Sequence, residues 1–199
     1  GSANNLVTAR HADGFPYLGI GTPGYQAQPM IADNGTIVLR NGDASKSIFT
    51  LNFNLGDIQE VASSTSGFTS IGLPGISDDG SVIAFAANEG TDTDGDGVTG
   101  PDVFAIVKVG TARKTIRVAK TDDGFSAFDL DQRISATSFN REQRASFVLF
   151  SATDSNGKKG IFQNQLKFTI DDSTATVTKV SPSKASPVLL SGDSVDGLG

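Results

Sequence analysis

Apolar positions in this chain come in short clusters, each closed off by Gly, Asp, Asn or Ser, and long windows rich in Ala, Leu, Glu and Lys are missing. Where polar and apolar residues alternate, the period is two: Phe104, Ile106 and Lys108 in one segment, Ile116, Val118 and Lys120 in another, each imperfectly. A period of two sends successive side chains to opposite faces of a strand. The pattern predicts an all-β chain of short strands joined by tight turns.

The clusters recur in a constant order. A segment ending in Gly-Phe reads LVTARHADGF at 6–15, IQEVASSTSGF at 58–68 and TIRVAKTDDGF at 115–125, with a weaker version, VLLSGDSVDGLG, at 188–199. A second anchor follows the first: PMIADNGTIVL at 29–39, PGISDDGSVIAF at 74–85, and SFNREQRASFVLF at 138–150, where the glycine turn is lost and residues are gained. The third anchor is a strand start, Ile48-Phe49, Val103-Phe104 and Ile161-Phe162. Three different anchors in one order predict three units, approximately 14–66, 67–123 and 124–199, within a single domain over 3–199.

Each unit reads as four antiparallel strands. Strand one ends near Ile31, Ile76 or Phe139, and an Asp-rich turn carrying Gly35 or Gly80 leads to strand two at 36–39 or 81–85. Asp-Asn-Gly and Asp-Asp-Gly are tight-turn signals because glycine takes positive φ without a steric penalty. A variable loop leads to strand three, such as 103–109, and strand four is the next unit's first anchor, such as 115–119. An extra Thr/Val strand at 175–180 and a Ser/Pro-rich connector fit an insertion before the final strand.

At ISDDGSVIAF (76–85) the chain resembles the β-propeller repeat of the TolB-like type, whose blades carry an S-x-D-G turn between the inner two strands. It is similar also to bacterial tandem repeats with an N-x-x-G-x-x-A-F core, found in exported proteins. The resemblance covers most of 6–168 and is weakest at Asn140-Arg141-Glu142-Gln143, which departs from the turn pattern. It implies a propeller-like stack of sheets and a secreted or cell-surface bacterial setting. It implies no single activity, because propellers host binding, scaffolding and catalysis alike. Propellers close with about 4–8 blades, so three units imply an open or fragmentary ring, or one completed by oligomerisation or by further repeats of a longer chain. A β-prism or another β-sandwich is the alternative.

Composition narrows the function classes. With 13 Phe against 2 Tyr and no Trp, the aromatics read as core rather than as a sugar-stacking surface. A net charge of -6 argues against nucleic acid, whose phosphates need clustered Lys and Arg, and favours cations. No cysteine is present, which excludes disulfides and zinc-thiolate sites. No run approaches the ~20 apolar residues that span a bilayer, so membrane insertion is not expected. Gly1-Ser2 reads as an expression scar.

The sharpest chemical signal is TDTDGDGVTGPD at 91–102. Asp92, Asp94 and Asp96 form D-x-D-x-D-G, whose alternate carboxylates converge in a turning loop, and calcium takes about 6–8 oxygen ligands. The backbone carbonyl of Val98 and the carboxylate of Asp102 complete the expected calcium set. The loop lacks the bidentate Glu of an EF-hand, having Val103 at that place. The competing reading is a soluble Asp/Gly hairpin loop.

Catalytic inventory is thin. His11 is the one histidine, no G-x-S-x-G elbow occurs, and Gly19-Ile20-Gly21-Thr22 lacks the lysine of a phosphate loop. Asp33, Asp78 and Asp79 on corresponding turns, with Asp129 and Asp131, leave room for paired-carboxylate glycan cleavage. The leading expectation is a non-enzymatic extracellular or cell-surface binding or adhesion module for a glycan or protein, stabilised by calcium. A hydrolase or lyase fragment and a structural spacer are the alternatives.

Overall fold

The computed structural model describes residues 30–40, 47–52, 57–90, 100–130 and 134–190. These form three antiparallel sheets whose strands follow one another along the chain. The first sheet contains β1 (Met30–Ile31), β2 (Thr36–Arg40), β3 (Ile48–Asn52) and β4 (Asp57–Ala62), paired in that order. The second contains β5 (Phe68–Ile71), β6 (Gly75–Ile76), β7 (Val82–Glu89), β8 (Pro101–Val109) and β9 (Ala112–Ala119). Here β5 and β6 both pair with β7, which passes on to β8 and β9. The third contains β10 (Phe125–Phe128), β11 (Ser135–Ala136), β12 (Ala145–Asp154), β13 (Lys159–Asp171), β14 (Thr176–Pro182) and β15 (Ser186–Leu190). β10 and β11 share β12 as partner, and β13 pairs with β12, β14 and β15. No helix among the described residues is long and apolar enough to cross a membrane.

The segments joining the sheets are alike. β4 and β9 each run into a 3-10 turn, Ser64–Ser66 and Thr121–Asp123, and then into a left-handed glycine, Gly67 (φ 94°) or Gly124 (φ 101°). The next residue, Phe68 or Phe125, opens the first strand of the following sheet. The Gly-Phe pair is therefore a sheet-to-sheet corner, where glycine supplies the positive φ that a Cβ disfavours.

The second sheet lies between the other two and is buried on both faces. Val82, Ala84, Ala86, Val103, Ala105 and Val107 join Phe125, Phe128, Val148, Phe150, Phe162 and Leu166 of the third sheet in one core. Ile83, Phe85, Ala87, Phe104 and Ile106, on the opposite face, join Ala32, Val38, Ile48 and Ala62 of the first sheet in a second core. A strand covered on both sides has no polar face to alternate with. This explains the unbroken apolar run of β7 and the imperfect alternation around it.

Two local expectations change. The first strand of the third unit ends at Ala136, in β11, and not near Phe139. The backbone N–H of Phe139 is held by the Asp79 carboxylate, 3.1 Å away, and so lies outside the ladder. The turn after it keeps its left-handed step without glycine: Arg144 has φ 49°, against 79° and 71° at Gly35 and Gly80. Asn140 accepts the Gln143 N–H at 2.9 Å, and the Arg144 guanidinium holds Asp172 at 2.8 and 3.0 Å, which together offset the strain of a non-glycine there. The inserted Thr/Val strand is β14. It pairs with the distal half of the long β13, and β15 then takes the near half.

Candidate functional site

The three sequence anchors meet in space. In the second sheet Phe68, Phe85 and Phe104 form a triangle with ring centroids 5.5, 4.9 and 5.8 Å apart; the Phe85–Phe104 pair is stacked and both pairs with Phe68 are edge-on. In the third, Phe125, Phe150 and Phe162 form a triangle of 5.7, 4.9 and 6.1 Å, again with one stacked and two edge-on pairs. The cross-strand pairs Phe85↔Phe104 and Phe150↔Phe162 correspond to Leu39↔Phe49 in the first sheet. Each third-anchor Phe sits next to a register shift toward the fourth strand, between Ile48/Phe49, Val103/Phe104 and Ile161/Phe162. Gly14-Phe15, the remaining member for the first sheet, lies outside the described residues.

Beside the Phe68–Phe104 edge is a cavity of about 400 Å³ lined by Ser66, Gly67, Phe68, Glu89, Phe104, Thr115 and Arg117. Its floor is ionic. Arg117, on β9, places Nη2 2.5 Å from Glu89 Oε2 at the end of β7 and Nε 3.0 Å from Asp102 Oδ2 at the start of β8. Glu89 and Asp102 are 6% and 5% exposed, so both carboxylates are nearly out of water. The guanidinium also lies 5.6 Å from the Phe104 ring centroid, a cation–π distance. Asp102 Oδ1 further accepts the Thr121 N–H at 3.1 Å, tying β8 to the corner that leads into the third sheet. Two carboxylates thus share one guanidinium at this buried spot.

The acidic loop joins the two carboxylate-bearing strands. Its base is fixed by the Asn88↔Pro101 and Ala87↔Asp102 pairs and by the Gly90 N–H, which donates to the Gly67 carbonyl at 2.7 Å. Of the expected calcium ligands, Asp92, Asp94, Asp96 and Val98 lie outside the described residues. Asp102 lies within them, on β8, with its carboxylate engaged by Arg117 and Thr121. Among the described residues no group of three or more His, Asp or Glu side chains is arranged to hold a metal. Glu89 and Arg117 were not among the sequence candidates. The available signal was a charged residue ending an apolar strand run and an arginine interrupting Ile116 and Val118.

The turn aspartates form a second polar cluster, which links the sheets. The Asp33 N–H donates to the Asp78 carbonyl at 2.6 Å, and Asn34 Nδ2 donates to the Asp79 carbonyl at 2.9 Å. Asn34 Oδ1 meanwhile closes its own turn by accepting the Thr36 N–H at 2.9 Å. Asp79 repeats the division of labour. Its Oδ1 accepts Ser77 Oγ, Ser81 Oγ and the Ser81 N–H at 2.7, 2.7 and 3.0 Å, while Oδ2 accepts the Phe139 N–H of the third sheet. Burial alone would raise the Asp79 pKa, but the hydrogen bonds from Ser81, Ser77 and Phe139 outweigh it and hold the carboxyl below its ordinary value. A glycosidase acid needs the opposite, a raised pKa, so Asp79 fits a structural carboxylate. Asp129 donates its N–H to the Ser151 carbonyl at 3.5 Å, and Asp131 and His11 lie outside the described residues.

The fold and these clusters define an all-β protein of stacked antiparallel sheets. No family model, curated protein or solved structure matches the chain.

Proposed function

We propose that the chain is a propeller-type repeat module, secreted or displayed on a bacterial surface, that binds a glycan or a protein without turning it over. The observation that carries this reading is the way the acidic loop is mounted. Its two ends are strand-paired, closed by the Gly90–Gly67 bond and fixed by the Glu89–Arg117–Asp102 ion triad beside a cavity. Binding residues concentrate on loops held by a rigid scaffold. The shared Gly-Phe corners, aromatic triangles and strand order support the repeat organisation that the TolB-like and N-x-x-G-x-x-A-F resemblance implies.

In this reading the loop takes calcium through Asp92, Asp94, Asp96 and the Val98 carbonyl, with Asp102 at its margin, and the bound ion makes the loop a defined surface. Thermal melting with excess calcium, compared with EGTA, tests the metal. Binding to the native state raises the melting temperature with calcium concentration, and identical curves remove calcium from the proposal. A glycan array read for both retention and cleavage tests the rest: retention without products is expected, and turnover of any glycan overturns the non-enzymatic assignment.

A further inference from the structure

Two cavities of about 350 and 310 Å³ meet where turns of the second and third sheets come together, at the end of β8 opposite the acidic loop. Phe139, Ala175 and Val177 line both, which makes them one groove. Its floor is aromatic. Phe139 is half-buried, packs on the core with one side, and meets the buried Phe168 edge-on with ring centroids 5.0 Å apart. On the walls, Lys108 and Gly110 come from the β8–β9 hairpin and Asp79 from the β6–β7 turn. Arg141 and Arg144 come from the turn before β12, and Asp172 and Ala175 from the β13–β14 turn.

Two backbone positions in this groove are held against their preference. Among the described residues Arg144 and Ala175 are the only non-glycine residues with positive φ, 49° and 53°, and both line the groove. The corresponding step of the other two units is taken by Gly35 and Gly80, which carry no Cβ to strain. Glycine would serve the turn better, so the turn alone does not explain the arginine. Strain of this kind gathers where the chain presents a side chain to a ligand.

Charge identifies the occupant. The wall carboxylates are committed: Asp172 accepts Arg144 Nη2 with both oxygens, and Asp79 accepts from Ser77, Ser81 and the Phe139 N–H. The cations are not. Arg144 gives one nitrogen to Asp172, which leaves Nε and Nη1 without a partner among the described residues, and the Arg141 side chain has none there. Lys108 also borders Glu60 in a neighbouring cleft, so the weight falls on the two arginines. A guanidinium fork matches the two oxygens of a carboxylate, and the Phe139 ring beside it suits an apolar ring face. An extended peptide needs an open strand edge, but β14 at the groove already gives the Val177 carbonyl to the Gly110 N–H at 2.8 Å. A sugar acid needs no ladder, because it carries a carboxylate and a C–H face on one ring.

We propose that this groove binds an acidic glycan, one uronic acid residue placing its carboxylate between Arg141 and Arg144 and its C–H face on Phe139. The groove is a second site, apart from the acidic loop. It needs no calcium, so it fails or survives separately from the metal and from any glycan held at the loop.

Isothermal titration of the full chain with trigalacturonate, at low salt and in EGTA, tests it against the methyl ester, neutral trigalactose and triglutamate. Trigalacturonate should bind, and the ester and trigalactose should bind about tenfold or more weakly, the factor that a hydrogen bond to a charged group contributes. Arg141→Gln, at an exposed position, and Arg144→Gly, which keeps the left-handed step, should each lose about the same factor. In the wild-type chain, trigalacturonate should shift the amide resonances of Phe139 and Val177, a measure that needs no variant to fold. No binding by wild type, equal affinity for the ester, full affinity in either folded variant, or amide shifts confined to other strands would each overturn the proposal. Triglutamate bound as tightly as trigalacturonate would overturn it as well, by making the groove a peptide site.

Discussion

Asp79 is the residue whose removal says most about how these sheets are joined. Its Oδ1 closes the β6–β7 turn through Ser77 and Ser81, and its Oδ2 reaches the Phe139 N–H of the third sheet. A hydrogen bond to a charged group contributes about 1.5–3 kcal/mol when buried. Asp79 is exposed, so water competes for the same oxygens and screens the charge. The four bonds also share one carboxylate and do not add. Asp79→Ala should therefore destabilise the fold by about 1–2 kcal/mol, which in a chain of this size lowers the melting temperature by about 2–8 °C. Asp79→Asn separates the two roles. The amide oxygen still accepts the Ser81 N–H, but its NH2 then faces the Phe139 N–H, donor against donor.

The pH dependence follows from the depressed pKa of Asp79. A group whose folded pKa is lowered contributes stability that is fully present above its unfolded value, about 4, and is lost as the pH falls through the folded value. Calorimetry from neutral pH downward should show the Asp79→Asn difference shrinking as the wild-type carboxyl is protonated. Asp78→Ala is the control, because Asp78 is exposed and lends its backbone carbonyl to the Asp33 N–H. It should stay within about 0.5 kcal/mol of wild type. An Asp79→Ala melting curve within 1 °C of wild type at pH 7, against the ~2–8 °C expected, or an Asp79→Asn deficit that persists unchanged into acid, would show that the Asp79 carboxylate does not join the sheets.

Two glycines and the ion triad offer further perturbations. At Gly75 an added Cβ would overlap the Ile134 carbonyl oxygen, which is backbone and cannot swing away, so Gly75→Ala should cost about 3 kcal/mol in a urea melt. Gly67→Ala meets no atom within 4 Å and bears only the strain of φ 94°, so about 1–2 kcal/mol is expected; equal losses at both glycines would contradict this distinction. Arg117→Met should destabilise by about 3 kcal/mol because it removes the guanidinium that the buried Glu89 and Asp102 carboxylates share. Replacing all three members by apolar residues should recover most of that loss, and a triple variant no better than Arg117→Met would show that the triad matters through something other than its buried charge.

Local signals made most of the strand plan legible. Gly35 and Gly80 mark turns whose φ is positive, and the Gly-Phe pairs mark the corners between sheets, because in both places one residue type answers one backbone requirement. The expected strand at 103–109 is β8, and the expected strand at 115–119 is the end of β9. The Asn140–Arg144 turn was harder to see because its left-handed step is held by side chains, the Asn140 cap and the Arg144–Asp172 pair, and these leave no glycine in the sequence.

The ion triad was hidden for a different reason. Glu89, Asp102 and Arg117 stand on three strands, and their meeting depends on register, which no local pattern encodes when a sheet is buried on both faces. That burial also bears on the acidic loop. A calcium site needs ligands held at fixed separations, and three carboxylates on a loop can satisfy this only if the loop ends are themselves fixed. Arg117 adds to the strand pairing there by bridging the ends of β7 and β8. An isolated Asp-Gly hairpin needs no such base. The triad thus connects the stability of the second sheet to the proposed binding loop, and Arg117→Met should weaken any calcium response along with the fold.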